Sequence, residues 1–323
     1  MKKALIIGIS GQDGAYLAKH LLKLGYEVHG TSRDAELSTF SSLKKLNIYE
    51  KVKLHSMSLI DFRSVMQTIL EIKPNEIYNL AGQTSVGLSF VQPVETLESI
   101  SIGTLNILEV LRFHKLDARF YNASSGECFG ETEINGAKED TQFKPRSPYA
   151  VAKAAAFWQV ANYREAYGIF ACSGILFNHE SPLRPPRFVT RKIVKTVCEI
   201  RKGIKKKLTL GNIKISRDWG YAPEYVEAMF LMLQRGKPDD FIIATGHTVS
   251  LEDFVKLAFD YLGMEMQDHL ITNESLVRPT DIIFSKGNPS KANKLLKWKA
   301  KTNVEDLIKI MIKSELEILE NNI

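Results

Sequence analysis

Apolar residues run unbroken from Ala4 to Ile7 inside KALIIGI. A strand covered on both faces, as in the centre of a parallel sheet, needs that pattern. Lys3 to Ile9 is therefore predicted as the first strand. Shorter apolar runs predict five more: Glu27 to Thr31, Val52 to His55, Glu76 to Leu80, Arg119 to Ala123 and Phe170 to Leu176. Helical spacing of apolar positions separates them at Asp13 to Lys23, Phe62 to Glu71, Gly103 to Phe113 and Tyr149 to Tyr167. This alternation predicts an α/β protein with a doubly wound parallel sheet. After about Asn178 the rhythm breaks, and segments rich in Pro, Arg and Lys mix with helical patterns at Glu224 to Gln234, Leu251 to Leu262 and Val304 to Leu319. A dinucleotide-binding domain over 1–178 and a mainly substrate-binding lobe over 179–323 are expected, with Phe241 to Thr245 returning to the main sheet.

Composition narrows this little. At 323 residues and 44% apolar content the chain can bury a full core. No run is long enough to span a membrane, and the N-terminus enters a strand at once without a signal peptide. Cys128, Cys172 and Cys198 are an odd, scattered set without metal-ligand spacing, which fits a reduced, cytoplasmic setting and no metal site. Cys172 and Cys198 read as core residues, and Cys128 stands where an adventitious reactive thiol would lie. The net charge is +6, densest in Arg201-Lys202-Gly203-Ile204-Lys205-Lys206-Lys207. That stretch reads as a solvated loop after a helix; it lacks the interleaved aromatics of a nucleic-acid surface.

The chemistry begins at Gly8-Ile9-Ser10-Gly11-Gln12-Asp13-Gly14, between the first strand and an amphipathic helix. In a pyrophosphate site of the Rossmann type, Gly8 allows the tight turn, Gly11 lets backbone approach phosphate, and Gly14 lets helix and strand pack closely. The helix N-terminus then faces the negative charge. A second motif is Ser147-Pro148-Tyr149-Ala150-Val151-Ala152-Lys153. Ser147 and Pro148 suit a helix start, and Tyr149 and Lys153 share a helix face. An ammonium near a phenol favours phenolate, so Lys153 is expected to lower the Tyr149 pKa from about 10 toward neutrality. Such a tyrosine can take a proton from a sugar hydroxyl while a nicotinamide takes the hydride.

Ligands of such a sheet bind beyond the carboxyl ends of its strands. After strand four comes Leu80-Ala81-Gly82-Gln83-Thr84-Ser85-Val86, small enough to lie against a cofactor. After strand five, Ser125 could hold the substrate oxygen near Tyr149, and the Glu127 carboxylate could remove a proton next to the new carbonyl. After strand two comes Gly30-Thr31-Ser32-Arg33-Asp34. Arg33 suits a 2′-phosphate through a bidentate contact and favours NADP, whereas a small shift in register would bring Asp34 to a ribose hydroxyl instead.

The residues resemble the GDP-mannose 4,6-dehydratase family of the extended short-chain dehydrogenases, nearly end to end. The carriers are GISGQDGAYLAKHLL, EIYNLAGQTSVGLSF, SSGECFG, PRSPYAVAKAAAFWQVANYREAYG, SGILFNHESPLR, FVTRKI, LGNIKISRDWG and GNPSKANKLLKW. The resemblance implies dehydration of a GDP-sugar, GDP-D-mannose, to its 4-keto-6-deoxy product by internal hydride transfer from C4 to C6 through bound NADP. It implies catalytic roles for Ser125, where the family usually has threonine, and for Glu127, Tyr149 and Lys153. Cofactor contacts are implied for Gly8, Gly11, Gln12, Asp13, Gly14, Arg33, Ser58, Leu59, Leu80, Ala81, Gln83, Tyr149, Lys153, His179 and Arg184. Substrate contacts are implied for Ser85, Asn178, Val189, Lys192, Gly211, Arg217 and Arg278. Without the resemblance, Lys192, Arg217 and Arg278 read as surface charge. A homo-oligomer, dimer or tetramer, is expected. An NADPH-dependent reductase of a GDP-4-keto-6-deoxy sugar, a dehydratase of another GDP-hexose or GDP-heptose, and a non-catalytic nucleotide sensor are the alternatives. Glu127 discriminates, because reduction needs no second acid/base carboxylate.

Overall fold

A computed structural model describes residues 1–276 and 279–321. Six strands form where the apolar runs lie: β1 (Lys3–Ile7), β2 (Glu27–Ser32), β3 (Lys53–Ser56), β4 (Glu76–Asn79), β5 (Arg119–Ser125) and β6 (Ala171–Leu176). Phe241–Ile243 pairs parallel with β6 as a seventh strand, and the sheet runs seventh–β6–β5–β4–β1–β2–β3. Every pairing in it is parallel.

The unbroken apolar run of β1 is explained by two cores, one on each face. Ala4 and Ile6 pack with helices Gln12–Lys23 and Ala222–Leu233. Leu5 and Ile7 pack with Phe62–Ile72 and Gly103–Phe113. Successive side chains of a strand point to opposite faces, so each face takes alternate residues. A third cluster is drawn wholly from the C-terminal part, between Ile193 and Ile312. The expected helices form within a few residues of their predicted ends, and Ser147 caps Pro148–Tyr167 by accepting the Ala150 N–H at 3.1 Å.

Two of the helical segments that were not predicted matter here. Val189–Arg201 is a thirteen-residue helix whose buried face carries Arg191 and Glu199 among its apolar residues. Arg191 forms a buried ion pair with Glu315, and these charges interrupt the apolar stripe that would mark the helix in sequence. The second feature is Pro93–Leu97, joined to Gly103–Phe113 through one wide i→i+5 turn at Glu98–Ile102. Gly82 lies against that turn: a Cβ there would sit 2.7 Å from Ile100 Cγ1. The basic stretch Arg201–Lys207 is exposed, with Lys202 paired to Glu320 and Lys205 to Glu199. No described helix is long and apolar enough to cross a membrane.

Candidate active site

The strand order reverses between β1 and β4, and a cleft of about 1290 Å³ opens at their carboxyl ends. Gly8, at φ +89°, turns the chain out of β1; a Cβ on it would lie 3.0 Å from the Ala81 backbone after β4. A Cβ on Gly14 would lie 2.5 Å from Gly8 O and 2.6 Å from Ile9 Cα, so helix and turn pack at a distance only glycine permits. Gly11 precedes helix Gln12–Lys23 without any side-chain cap. The first helical N–H groups therefore lack partners within the helix. Gly11, Gln12, Asp13 and Gly14 all line the cleft. Uncapped donors, a close backbone approach and a helix N-terminus fit a diphosphate.

Arg33, Ser58 and Leu59 line one end of the cleft, and Leu80, Ala81, Gln83 and Arg184 line the other parts of its wall. Of the residues expected at the cofactor, only Tyr149, Lys153 and His179 lie outside that lining. At the ribose end Arg33 is exposed. Asp34 Oδ1 accepts the N–H groups of Glu36 and Leu37, both at 3.0 Å, which commits that oxygen to its own turn. Arg184 is fixed by two neighbours the sequence did not single out. Its Nε lies 3.2 Å from Glu180 Oε2, and its guanidinium lies 3.6 Å from the centre of the Phe188 ring. The four-residue spacing of Glu180 and Arg184 was the available signal for the first.

The reacting corner lies at the end of β5. Ser125 Oγ accepts the Glu127 N–H at 3.2 Å, and its hydroxyl is close enough to the Tyr149 phenol to favour its ionisation. The Glu127 carboxylate is half-buried and close enough to Tyr149 to act on its charge. Tyr149 is 9% exposed and Lys153 5%. Lys153 Nζ donates to Ala123 O at 2.7 Å and lies 5.9 Å from the centre of the Tyr149 ring. This geometry corrects the expected proton balance. Burial pushes the Tyr149 phenol above its ordinary value, against the opposing effect of Ser125. Burial likewise brings the Lys153 ammonium down to about 8. In the protein alone Tyr149 is a phenol, because the ammonium is spent on a backbone carbonyl and both groups are desolvated. Cys128 is corrected too: fully buried, its thiol is pushed up to about 12, so it is not a reactive thiolate. Cys172 and Cys198 are fully buried, as expected of core residues.

Among the residues expected at the substrate, Lys192 Nζ donates to Thr209 O at 2.7 Å, two residues before Gly211. Arg217 is buried, with Nη2 3.6 Å from Asp281 Oδ1. Arg217 precedes the strand Trp219–Tyr221, which pairs Trp219 with Asn178. Val189 opens its helix next to cleft-lining Phe188. Ser85 caps the short helix Val86–Ser89, accepting the Leu88 N–H at 3.2 Å, and like Asn178, Val189, Lys192, Gly211 and Arg217 it is not part of the cleft lining. Arg278 lies outside the described residues.

The family model for GDP-mannose 4,6 dehydratase matches residues 5–311. The chain belongs to that family. GDP-mannose 4,6 dehydratase 1 of Arabidopsis thaliana is 45% identical over 329 residues, covering 98% of this chain and 90% of the relative. Among solved structures, the UDP-glucose 4-epimerase of Thermus thermophilus, complexed with NAD, superposes at a TM-score of 0.84, with 25% identity over 97% of this chain and 98% of that one. RMD from Pseudomonas aeruginosa complexed with NADPH superposes at 0.81, with 21% identity over 98% and 100%. The chain thus shares its fold with a nucleotide-sugar epimerase.

Proposed function

We propose that the protein dehydrates GDP-D-mannose to GDP-4-keto-6-deoxy-D-mannose with a resident NADP. The family supports the reaction. The observation that carries the assignment of roles is the gathering of Ser125, Glu127, Tyr149 and Lys153 at the carboxyl end of β5. When bound, the nicotinamide supplies a hydride acceptor for C4 and a donor for C6. The Tyr149 oxygen takes the O4 proton, and the Ser125 hydroxyl holds that oxygen in line. Lys153, on the same helix face as Tyr149, favours the phenolate once that oxygen must take the O4 proton. Glu127 takes the C5 proton, made acidic by the adjacent carbonyl, and passes a proton to the departing C6 hydroxyl. The uncapped helix start and Arg184 hold the cofactor's charge, while Lys192 and Arg217 hold the sugar nucleotide's diphosphate. Arg33 at the ribose end supports NADP over NAD.

The reading carries a division of labour, with residues 1–178 serving the cofactor and 179–323 mainly the substrate. The separate C-terminal core and the positions of Lys192, Gly211 and Arg217 support it. It also carries a cytoplasmic homo-oligomer; the reduced cysteines and the exposed apolar side chains of Val151 and Trp158 support that part. The test is incubation with GDP-mannose in deuterated water, followed by mass spectrometry. The expected product has lost one water and gained deuterium at C5. Glu127→Gln should oxidise C4 but stall before water leaves. Stoichiometric NADPH consumption with a 4-keto sugar, and no dehydration of any GDP-sugar, would assign the protein as a reductase instead.

A further inference from the structure

His179 Nδ1 lies 2.8 Å from the carbonyl oxygen of Phe177, and Nε2 lies 2.8 Å from Asp13 Oδ2. A carbonyl and a carboxylate only accept hydrogen bonds, whereas a neutral imidazole carries a single N–H. Two such contacts need one more proton than the neutral ring and the ionised acid provide together. The ring is buried and stacks on Tyr225, with centres 4.7 Å apart at 23°. Burial alone would lower the His179 pKa, but Asp13 and the Phe177 carbonyl overcome it and the net shift is upward. Burial alone would raise that of Asp13, but His179 and Gln12 overcome it and the net shift is downward. The extra proton therefore sits on the ring, as an imidazolium facing a carboxylate.

Asp13 is also in the first turn of helix Gln12–Lys23 and lines the cleft where its donors are uncapped. An unbalanced carboxylate there would repel a diphosphate. The remaining groups around the pair are known. Gln12 Nε2 donates to Asp13 Oδ1 at 3.0 Å and to His179 O at 3.2 Å, and Ser181 Oγ donates to Gln12 Oε1 at 2.7 Å. Arg184, itself held by Glu180, acts on both members, while Lys153, Tyr16 and Tyr121 lie close enough to sense Asp13. These bonds tie the phosphate turn to the segment after β6 that carries Asn178 and Arg184.

We propose that His179 is a positioning residue whose positive charge cancels Asp13, keeping the phosphate end of the cleft open to a dinucleotide without touching it. The inference rests on reading the cleft as a dinucleotide site. The two charges also clasp the helix start to the loop after β6. As pH rises and the ring loses its proton, the clasp and the cancellation are lost together. As pH falls far enough to protonate Asp13, the clasp is lost from the other side.

The test is equilibrium binding of NADPH to nucleotide-free protein, followed by fluorescence, for the parent, His179→Gln, Asp13→Asn and the double variant. A single unbalanced charge a few ångströms from a diphosphate in a partly solvated cleft changes affinity by about tenfold. His179→Gln should therefore bind NADPH about tenfold more weakly, and adding Asp13→Asn to it should recover that loss. A double variant as weak as His179→Gln would overturn the proposal, as would a His179→Gln protein that binds NADPH as the parent does. Should His179→Gln fail to fold, nitrogen NMR of the His179 ring in the parent decides: two ring N–H groups at pH 7 are expected, and a neutral ring would overturn the proposal. Binding of NADPH as expected without any dehydration of GDP-mannose would refute the proposed function and leave this inference standing. Failure of the parent to bind NADPH or NADH would refute this inference.

Discussion

At the phosphate end of the cleft, recognition falls to backbone held in place by packing. Gly8 touches Ala81, Gly14 touches Gly8 and Ile9, and the helix start needs no movement to present its N–H groups. At the reacting corner the groups are side chains whose protonation in the bare protein is not what the reaction needs. Tyr149 is held as a phenol, and Lys153 sits close to losing its charge. One end is ready before any ligand arrives; the other would need a positive charge beside the phenol, which an oxidised nicotinamide ring would carry when bound. A buried phenol ionises more readily when a positive charge is placed beside it.

The sharpest way to break this comparison is Tyr149→Phe. If the corner works only through that phenol, turnover of GDP-mannose should fall by roughly 10²–10⁴, the range for loss of a positioned acid/base group. NADPH binding should be nearly unchanged, because the phosphate end is built independently. Titration of dinucleotide fluorescence beside a turnover assay reads both; equal losses in each would show that the two ends are not separable.

Arg33→Ala comes next in size. Arg33 lines the cleft, and Asp34 Oδ1 is turned into its own loop. A charge-assisted pair to a 2′-phosphate is worth roughly 1.5–3 kcal/mol. The variant should lose that much NADPH affinity while NADH affinity hardly moves. Equal losses for both dinucleotides would place the guanidinium elsewhere. Gly14→Ala probes the packing itself. The added methyl would meet backbone at 2.5 Å and 2.6 Å, where no side chain can turn aside. Overpacking of this kind costs about 1–3 kcal/mol, so a denaturant midpoint should drop by a corresponding amount. An unchanged midpoint would mean that helix Gln12–Lys23 can slide away from β1.

How much of this was legible in the sequence depended on how local each cause was. β1 was readable because a strand covered on both faces has nowhere to place a polar residue, and Gly8 and Gly14 because turn and packing each exclude a Cβ. Tyr149 and Lys153 were readable as residues, since a helix fixes their shared face. Their protonation was not. Spacing predicts that the ammonium lowers the phenol, but Lys153 is drawn to Ala123 O on a different strand, and desolvation depends on everything packed around it. Helix Val189–Arg201 escaped for a related reason. Arg191 looks like solvent-facing charge until Glu315, far along the chain, is brought against it. His179 read as a cofactor contact only through the family resemblance, and nothing local announces that Asp13 will meet its ring.

The last prediction is the smallest in stability and opposite in sign, and it tests whether the reacting corner is held against its own preference. Lys153 is buried with a single backbone acceptor, and burial brings its ammonium from 10.5 to about 8. A depressed lysine pKa means that folding disfavours the charged form. Below about 8 the group is charged in both the folded and unfolded chain, and the folded protein bears the cost of burying it. Between about 8 and 10.5 the folded protein releases its proton while the unfolded chain keeps one, so this group makes stability rise with pH across that window. Lys153→Met keeps the side chain's length and removes the charge. At pH 7 it should unfold at an equal or slightly higher denaturant concentration than the parent. The parent's disadvantage should shrink as pH is raised from 8 toward 10. A Lys153→Met protein clearly less stable than the parent at pH 7 would show that the ammonium is a structural asset, and that the corner is no less preformed than the phosphate end.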